Sequence, residues 1–132
     1  MISVEHLTKC YGDFMAVDDL TFTINEGHVY GFLGPNGAGK TTTMNIMTGC
    51  LSATQGHVKI DGHDIFDEPD EAKKLIGYLP EQPPLYMNES PREYLHFVGK
   101  AKGLHGEELK QQIEKVILQT KIETVCHKRI SA

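Results

Sequence analysis

Residues 34–41 read Gly-Pro-Asn-Gly-Ala-Gly-Lys-Thr and complete the pattern G-x-x-x-x-G-K-[ST]. Nothing else in the chain constrains the fold as tightly, because this pattern works only as a turn from a strand into a helix. Gly34, Gly37 and Gly39 free the loop of Cβ atoms, so that successive N–H groups turn inward around phosphate oxygens. Pro35, Asn36 and Ala38 fill the variable positions of the loop. Lys40 brings a full positive charge to the β- and γ-phosphates of a nucleotide, and the Thr41 hydroxyl is placed for the accompanying Mg²⁺.

The flanks fit the pattern. His28-Val29-Tyr30-Gly31-Phe32-Leu33 is a mostly apolar run that predicts a strand entering the loop. Lys40 to Cys50 carries Met44, Ile46 and Met47 and meets a glycine stop at Gly49, which predicts a helix. The positive end of that helix adds its field at the phosphates.

Around this unit the chain divides in character. Residues 2–8 and 20–25 read as strands; Leu20-Thr21-Phe22-Thr23-Ile24 alternates apolar and hydroxyl side chains. His57-Val58-Lys59-Ile60 is a short strand closed by an Asp61-Gly62 turn, and Leu75-Ile76-Gly77-Tyr78-Leu79 is a further apolar strand candidate. Glu68 to Lys74 is a short polar helix, with Pro69 in its first turn. Residues 80–87 hold three prolines and are irregular. Ser90-Pro91-Arg92-Glu93 is a helix start, with Ser at the cap and Glu three residues on. That helix is expected to stop at Gly103. A second, Glu107 to Gln119, carries Leu109, Ile113, Val116 and Ile117 on one face. The expected organisation is an α/β nucleotide core over 1–86 and the beginning of a helical region over 87–132.

At 132 residues the chain suffices for one modest core. The net charge of −5 argues against general nucleic-acid affinity. Cys10, Cys50 and Cys126 are widely spaced and odd in number, which fits reduced thiols and a cytoplasmic setting. No apolar run reaches membrane-spanning length. The histidines form no metal-ligand pattern.

The wider string resembles the ATP-binding subunit of ABC transporters over essentially the whole chain. The stretches that carry the likeness are Leu7–Gly12, Ala16–Leu20, Gly34–Thr42 and Ile76–Glu81. A weaker likeness over Ile76–Tyr86 points to export or multidrug types. The resemblance implies an α/β P-loop NTPase fold, ABC ATPase-like, with N-terminal antiparallel strands and the start of a helical subdomain, as an incomplete domain. It implies ATP and Mg²⁺ as ligands. Tyr11 takes the position of an aromatic that stacks on adenine, with Val17 nearby, although an apolar residue there serves equally as core. Thr42 matches a second hydroxyl that contacts phosphate. Leu79-Pro80-Glu81-Gln82 corresponds to the loop whose glutamine senses Mg²⁺ and the γ-phosphate, with Glu81 in the glutamine position and Gln82 after it. A membrane permease and a second ATP-binding subunit are the implied partners, with the protein peripheral on the cytoplasmic face of the membrane.

Hydrolysis in this class also needs an apolar strand ending in an acidic residue, a Leu-Ser-Gly-Gly-Gln-like signature and a later switch histidine. None follows the P-loop here. Phe14-Met15-Ala16-Val17-Asp18 mimics the first but precedes the loop. The chain therefore reads as the N-terminal portion of a subunit, able to approach nucleotide phosphates and expected not to turn ATP over by itself. A soluble ABC-type ATPase of translation or DNA repair, and a non-functional remnant, are the alternatives.

Overall fold

A computed structural model describes all 132 residues. The chain forms two compact units, Met1–Tyr78 and Leu79–Ala132, so the division falls ahead of the proline-rich stretch.

The first unit is built on a four-stranded antiparallel sheet in the order β2-β1-β3-β4. Strands β1 (Ile2–Tyr11) and β2 (Phe14–Ile24) form a hairpin closed by Gly12-Asp13, with Tyr11 opposite Phe14 and Gly12 at φ 57. Both strands run longer than the alternation predicts, because backbone pairing continues past the amphipathic stretch. Strand β3 (Gln55–Ile60) pairs with the other edge of β1 and turns into β4 (His63–Asp64). Asp61 and Gly62 sit at φ 47 and 86, the two positive values that a tight Asp-Gly hairpin requires. The hydroxyl face of β2 is exposed, while Leu20, Phe22 and Ile24 pack on a core of Val4, Leu7, Val17, Ile46, Met47, Val58, Ile60, Ile65 and Ala72. Two of those core residues come from helix α1 (Lys40–Met47) and one from α2 (Pro69–Lys74).

The β1–β2 register shifts near residues 4–9. At the irregularity His6 and Asp19 both adopt positive φ, 51 and 43. Local bonds hold this conformation: His6 N–H donates to Thr21 Oγ1 at 2.9 Å, Asp19 N–H to Thr8 Oγ1 at 3.1 Å, and the two side chains meet at 2.7 Å. On the other side of β1, Gly56 lets β3 approach, since a Cβ there would collide with the His6 carbonyl.

Two expected strands are absent. Residues 28–33 and 75–79 form no ladder with any strand of this chain. A strand is defined by its pairing, and neither run has a neighbouring backbone to bond. Leu33 is 92% and Leu79 82% exposed, so much of the apolar character that predicts burial goes unused, although Ile76 packs on the first core and the Phe32 ring lies 5.9 Å from that of Phe22.

The second unit holds α3 (Pro91–Ala101) and α4 (Gly106–Thr120). The Ser90–Glu93 capping box forms as the sequence predicts: Glu93 N–H donates to Ser90 Oγ at 3.3 Å, and Ser90 N–H to Glu93 Oε2 at 2.8 Å. Leu109, Ile113 and Ile117 of α4 bury against Cys126, with Leu95, Leu104 and Ile122 around them. Arg92 of α3 grips Glu114 of α4 through its two terminal guanidinium nitrogens, Nη1 and Nη2. No helix is long and apolar enough to cross a membrane.

Candidate functional site

The P-loop lies in the first unit and leads straight into α1. Gly39 is the N-cap of that helix at φ 90, and Gly37 also has positive φ, 83. Gly34 does not; what a side chain would meet there is the Ala38 Cβ, at 3.3 Å. The first intrahelical bond runs from Thr43 N–H to the Gly39 carbonyl at 2.9 Å. The N–H groups of Lys40, Thr41 and Thr42 therefore stand ahead of the helical ladder, as donors at its positive end.

The side chains at this end differ in what they do. Lys40 folds back and donates to the loop's own carbonyls, at 2.5 Å to Gly34 and 2.8 Å to Pro35. Its ammonium is thus held against the first two residues of the loop. Thr43 spends its hydroxyl on the Gly39 carbonyl at 2.8 Å and is buried. Thr41 is exposed and Thr42 half-buried. Thr43, which the motif and the resemblance leave out of the site, is a structural residue.

The sheet fixes what faces this helix end. A Cβ on Gly39 would collide with the carbonyl oxygen of Ala16 and lie 3.4 Å from Val17 Cγ2. Val17 is only 7% exposed and belongs to the core; of its two readings, core packing is the one the structure carries. Val17 pairs with Lys9 across the hairpin, and paired residues share a face of the sheet. Lys9 and Tyr11, two apart, share that face as well. Tyr11 therefore stands on the P-loop side, about 7 Å along the strand from the residue opposite Val17. Tyr11 is 49% exposed, and the Lys9 ammonium lies 5.2 Å from its ring centroid.

A groove of about 690 Å³ opens on the other face, lined by residues including His6, Cys10, Met15, Asp19 and His57. Cys10 and Met15 are register partners and alternate with Lys9 on the strand, so this groove faces away from the P-loop. Asp18, the end of the apolar run that mimics an acidic-strand motif, is exposed on β2 and also lines this groove. Glu81 and Gln82 belong to the second unit, and both are exposed. No cluster of three or more His, Cys, Asp or Glu side chains is arranged to hold a metal.

The family model described as ABC transporter matches residues 17–132. Among curated proteins, an uncharacterized ABC transporter ATP-binding protein of Bacillus subtilis, YxlF, is 38% identical over 98% of this chain and 42% of its own length. The bacitracin transport ATP-binding protein BcrA of Bacillus licheniformis is 40% identical over 80% of this chain and 34% of its own. Among solved structures, an ATP-binding subunit of an ABC transporter superposes with a TM-score of 0.86 at 26% identity, covering 98% of this chain and 54% of the other. A dimeric ATP-binding cassette in a post-hydrolysis state, bound to ADP and Pi, gives 0.81 at 25% identity over 98% and 61%. A P-loop of this geometry, on an antiparallel hairpin that presents an aromatic beside it, defines a nucleotide-binding cassette. The chain belongs to the ABC transporter family. It spans less than half the length of these two curated relatives.

Proposed function

We propose that this chain is the nucleotide-binding portion of an ABC transporter's ATP-binding subunit and that it holds ATP with Mg²⁺. The observation that carries this reading is the helix end itself: three N–H groups ahead of the α1 ladder, with the Lys40 ammonium folded over the loop. Such a concentration of donors and positive charge suits the phosphates of a nucleotide.

Each residue then has a task. The backbone of Gly34, Pro35, Asn36, Gly37, Ala38 and Gly39 encloses phosphate oxygens, and Lys40 exchanges its loop carbonyls for the β- and γ-phosphates. Thr41, whose hydroxyl is exposed, ligates Mg²⁺; Thr42 contacts phosphate. Tyr11 stacks its open ring on the adenine, a flat partner for a flat face. Glu81 or Gln82 completes the Mg²⁺ shell in the assembled protein. Mg²⁺ supplies charge neutralisation between the phosphates when bound.

In the whole protein, two such subunits bind MgATP between them and act on a membrane permease from the cytoplasmic face, so that ATP hydrolysis drives transport. The multidrug type is supported by a relative of Escherichia coli named as a probable multidrug ABC transporter ATP-binding protein, 35% identical over 88% of this chain and 20% of its own length. The test is calorimetric titration of the chain with MgATP beside Lys40→Ala. Loss of at least tenfold in affinity, about 1.4 kcal/mol, is expected for the variant; unchanged affinity overturns the reading. Steady phosphate release by this chain, abolished by the same variant, overturns the expectation that these 132 residues do not turn ATP over.

A further inference from the structure

We propose that Lys9 is a positioning residue for Tyr11 and sets how firmly the site grips the base of its nucleotide. The inference rests on the reading that Tyr11 stacks on adenine and deepens it. Tyr11 stands at the tip of the β1–β2 hairpin, half-exposed, one residue from the turn glycine. Left to itself, a tyrosine in such a place samples several rotamers, and a base that stacks on it must first freeze them.

Lys9 removes that freedom from one side. Its ammonium lies 5.2 Å from the ring centroid, within cation–π range. The same nitrogen donates to the Ser52 carbonyl at 2.7 Å. One face of the ring is thus covered by a tethered cation, and the base has only the opposite face to use.

The tether leads back to the phosphate site. Ser52 follows α1, whose C-terminal end is bonded through Cys50 and Leu51 N–H groups to the Asn45 carbonyl, at 2.8 and 3.1 Å. The segment after Ser52 is tied to β1 as well: Thr54 N–H donates to the Thr8 carbonyl at 2.9 Å, and Cys10 N–H to Thr54 Oγ1 at 2.9 Å. The far end of the P-loop helix and the aromatic are therefore held by one set of bonds, with Lys9 as the member that touches the ring. A lysine is long enough to reach both the carbonyl and the ring face; a methionine of similar length fills the space without the charge.

The experiment compares two probes, MgATP and inorganic tripolyphosphate with Mg²⁺, which lacks a base. Both are titrated into the chain and into Lys9→Met, Lys9→Arg, Tyr11→Ala and the Lys9→Met, Tyr11→Ala double variant, with circular dichroism confirming the fold. Lys9→Met is expected to weaken ATP about two- to fivefold, the worth of one exposed cation–π contact, and to leave tripolyphosphate unchanged. Lys9→Arg is expected to restore ATP binding, because guanidinium also sits on aromatic faces. In the Tyr11→Ala background, Lys9→Met is expected to add nothing. If Tyr11→Ala lowers the preference for ATP over tripolyphosphate and Lys9→Met does not, the positioning role falls and the stacking role stands. If Lys9→Met weakens both probes alike, or keeps its effect without the ring, the lysine acts by its charge on phosphate and the inference is overturned. If Tyr11→Ala leaves the preference intact, the stacking reading itself fails and takes the positioning role with it.

Discussion

Replacing Gly39 with alanine tests how the P-loop is seated. The residue meets two separate penalties. At φ 90 a Cβ enters the left-handed region, at a cost of about 1–2 kcal/mol. The same Cβ would collide with the carbonyl oxygen of Ala16. That atom is backbone of β2, at the residue skipped between the Lys9–Val17 and Cys10–Met15 pairs, so relieving the clash means moving main chain rather than a side chain, and the forced displacement costs about 1–3 kcal/mol, as overpacking does. The sum is about 2–5 kcal/mol, a large share of the ~5–15 kcal/mol that holds a domain together. Gly37→Ala separates the penalties. Its φ is 83, but nothing lies within 4 Å of the added carbon, so only the conformational cost applies. The difference between the variants is the collision alone. Urea unfolding followed by far-ultraviolet circular dichroism reads it. With a slope of about 2 kcal/mol per molar, Gly39→Ala should unfold about 0.5–1.5 M earlier than Gly37→Ala. Equal midpoints would refute the claim that the N-terminus of α1 is pressed against Ala16 and Val17.

Three further outcomes are expected. Ser90→Ala removes the side chain that accepts from Glu93 N–H and should destabilise α3 by about 1 kcal/mol, visible as faster amide exchange in its first turn. Ile113→Ala opens a hole in the second core, where Ile113 is buried beside Leu109 and Ile117, and should cost about 2–5 kcal/mol; exchange in β1 and β2 should not change. Asp64 carries a pH dependence. Its burial pushes the carboxyl up, but Phe66 and Asp67 N–H groups and the His57 ring outweigh that and hold it below the usual aspartate range. A depressed folded value stabilises above the unfolded value of about 3.9 and is lost as pH falls through the folded one. Asp64→Asn should therefore flatten the acid limb of the stability curve below about pH 4; an unaltered limb would remove Asp64 from the explanation.

The parts of this molecule that were legible in the sequence are those whose causes are local. The P-loop, the Asp61-Gly62 turn and the Ser90–Glu93 box each depend on residues a few positions apart, and each forms. Residues 28–33 and 75–79 read as strands because apolar runs usually find partners; pairing is a property of two segments, and the run alone does not carry it. His6 and Asp19 gave no warning of positive φ, since the bonds that hold them come from Thr8 and Thr21 on the opposite strands. The site was half visible. Lys40 and Tyr11 stand out by motif, whereas Lys9 gains its place only when the hairpin register sets it opposite Val17 and the ammonium finds Ser52. Strand alternation puts Lys9 and Tyr11 on one face, but the strand expected from the sequence stops at residue 8, so that relation appears only once β1 runs on to Tyr11.

The bare run at 28–33 also has a consequence in time. A ribosome adds about 5–20 residues per second, so the apolar run at 75–79, roughly 40 residues later, emerges after about 2–8 s, and neither it nor the intervening β3 pairs with 28–33. For that interval the nascent chain displays Val29, Phe32 and Leu33 on a backbone with its hydrogen bonds unmade. Pairing between neighbouring nascent chains, or capture by a holdase, competes with folding throughout it. The speed of translation between the two runs is thus a variable of yield, and slowing it should raise the fraction of chain lost to aggregates.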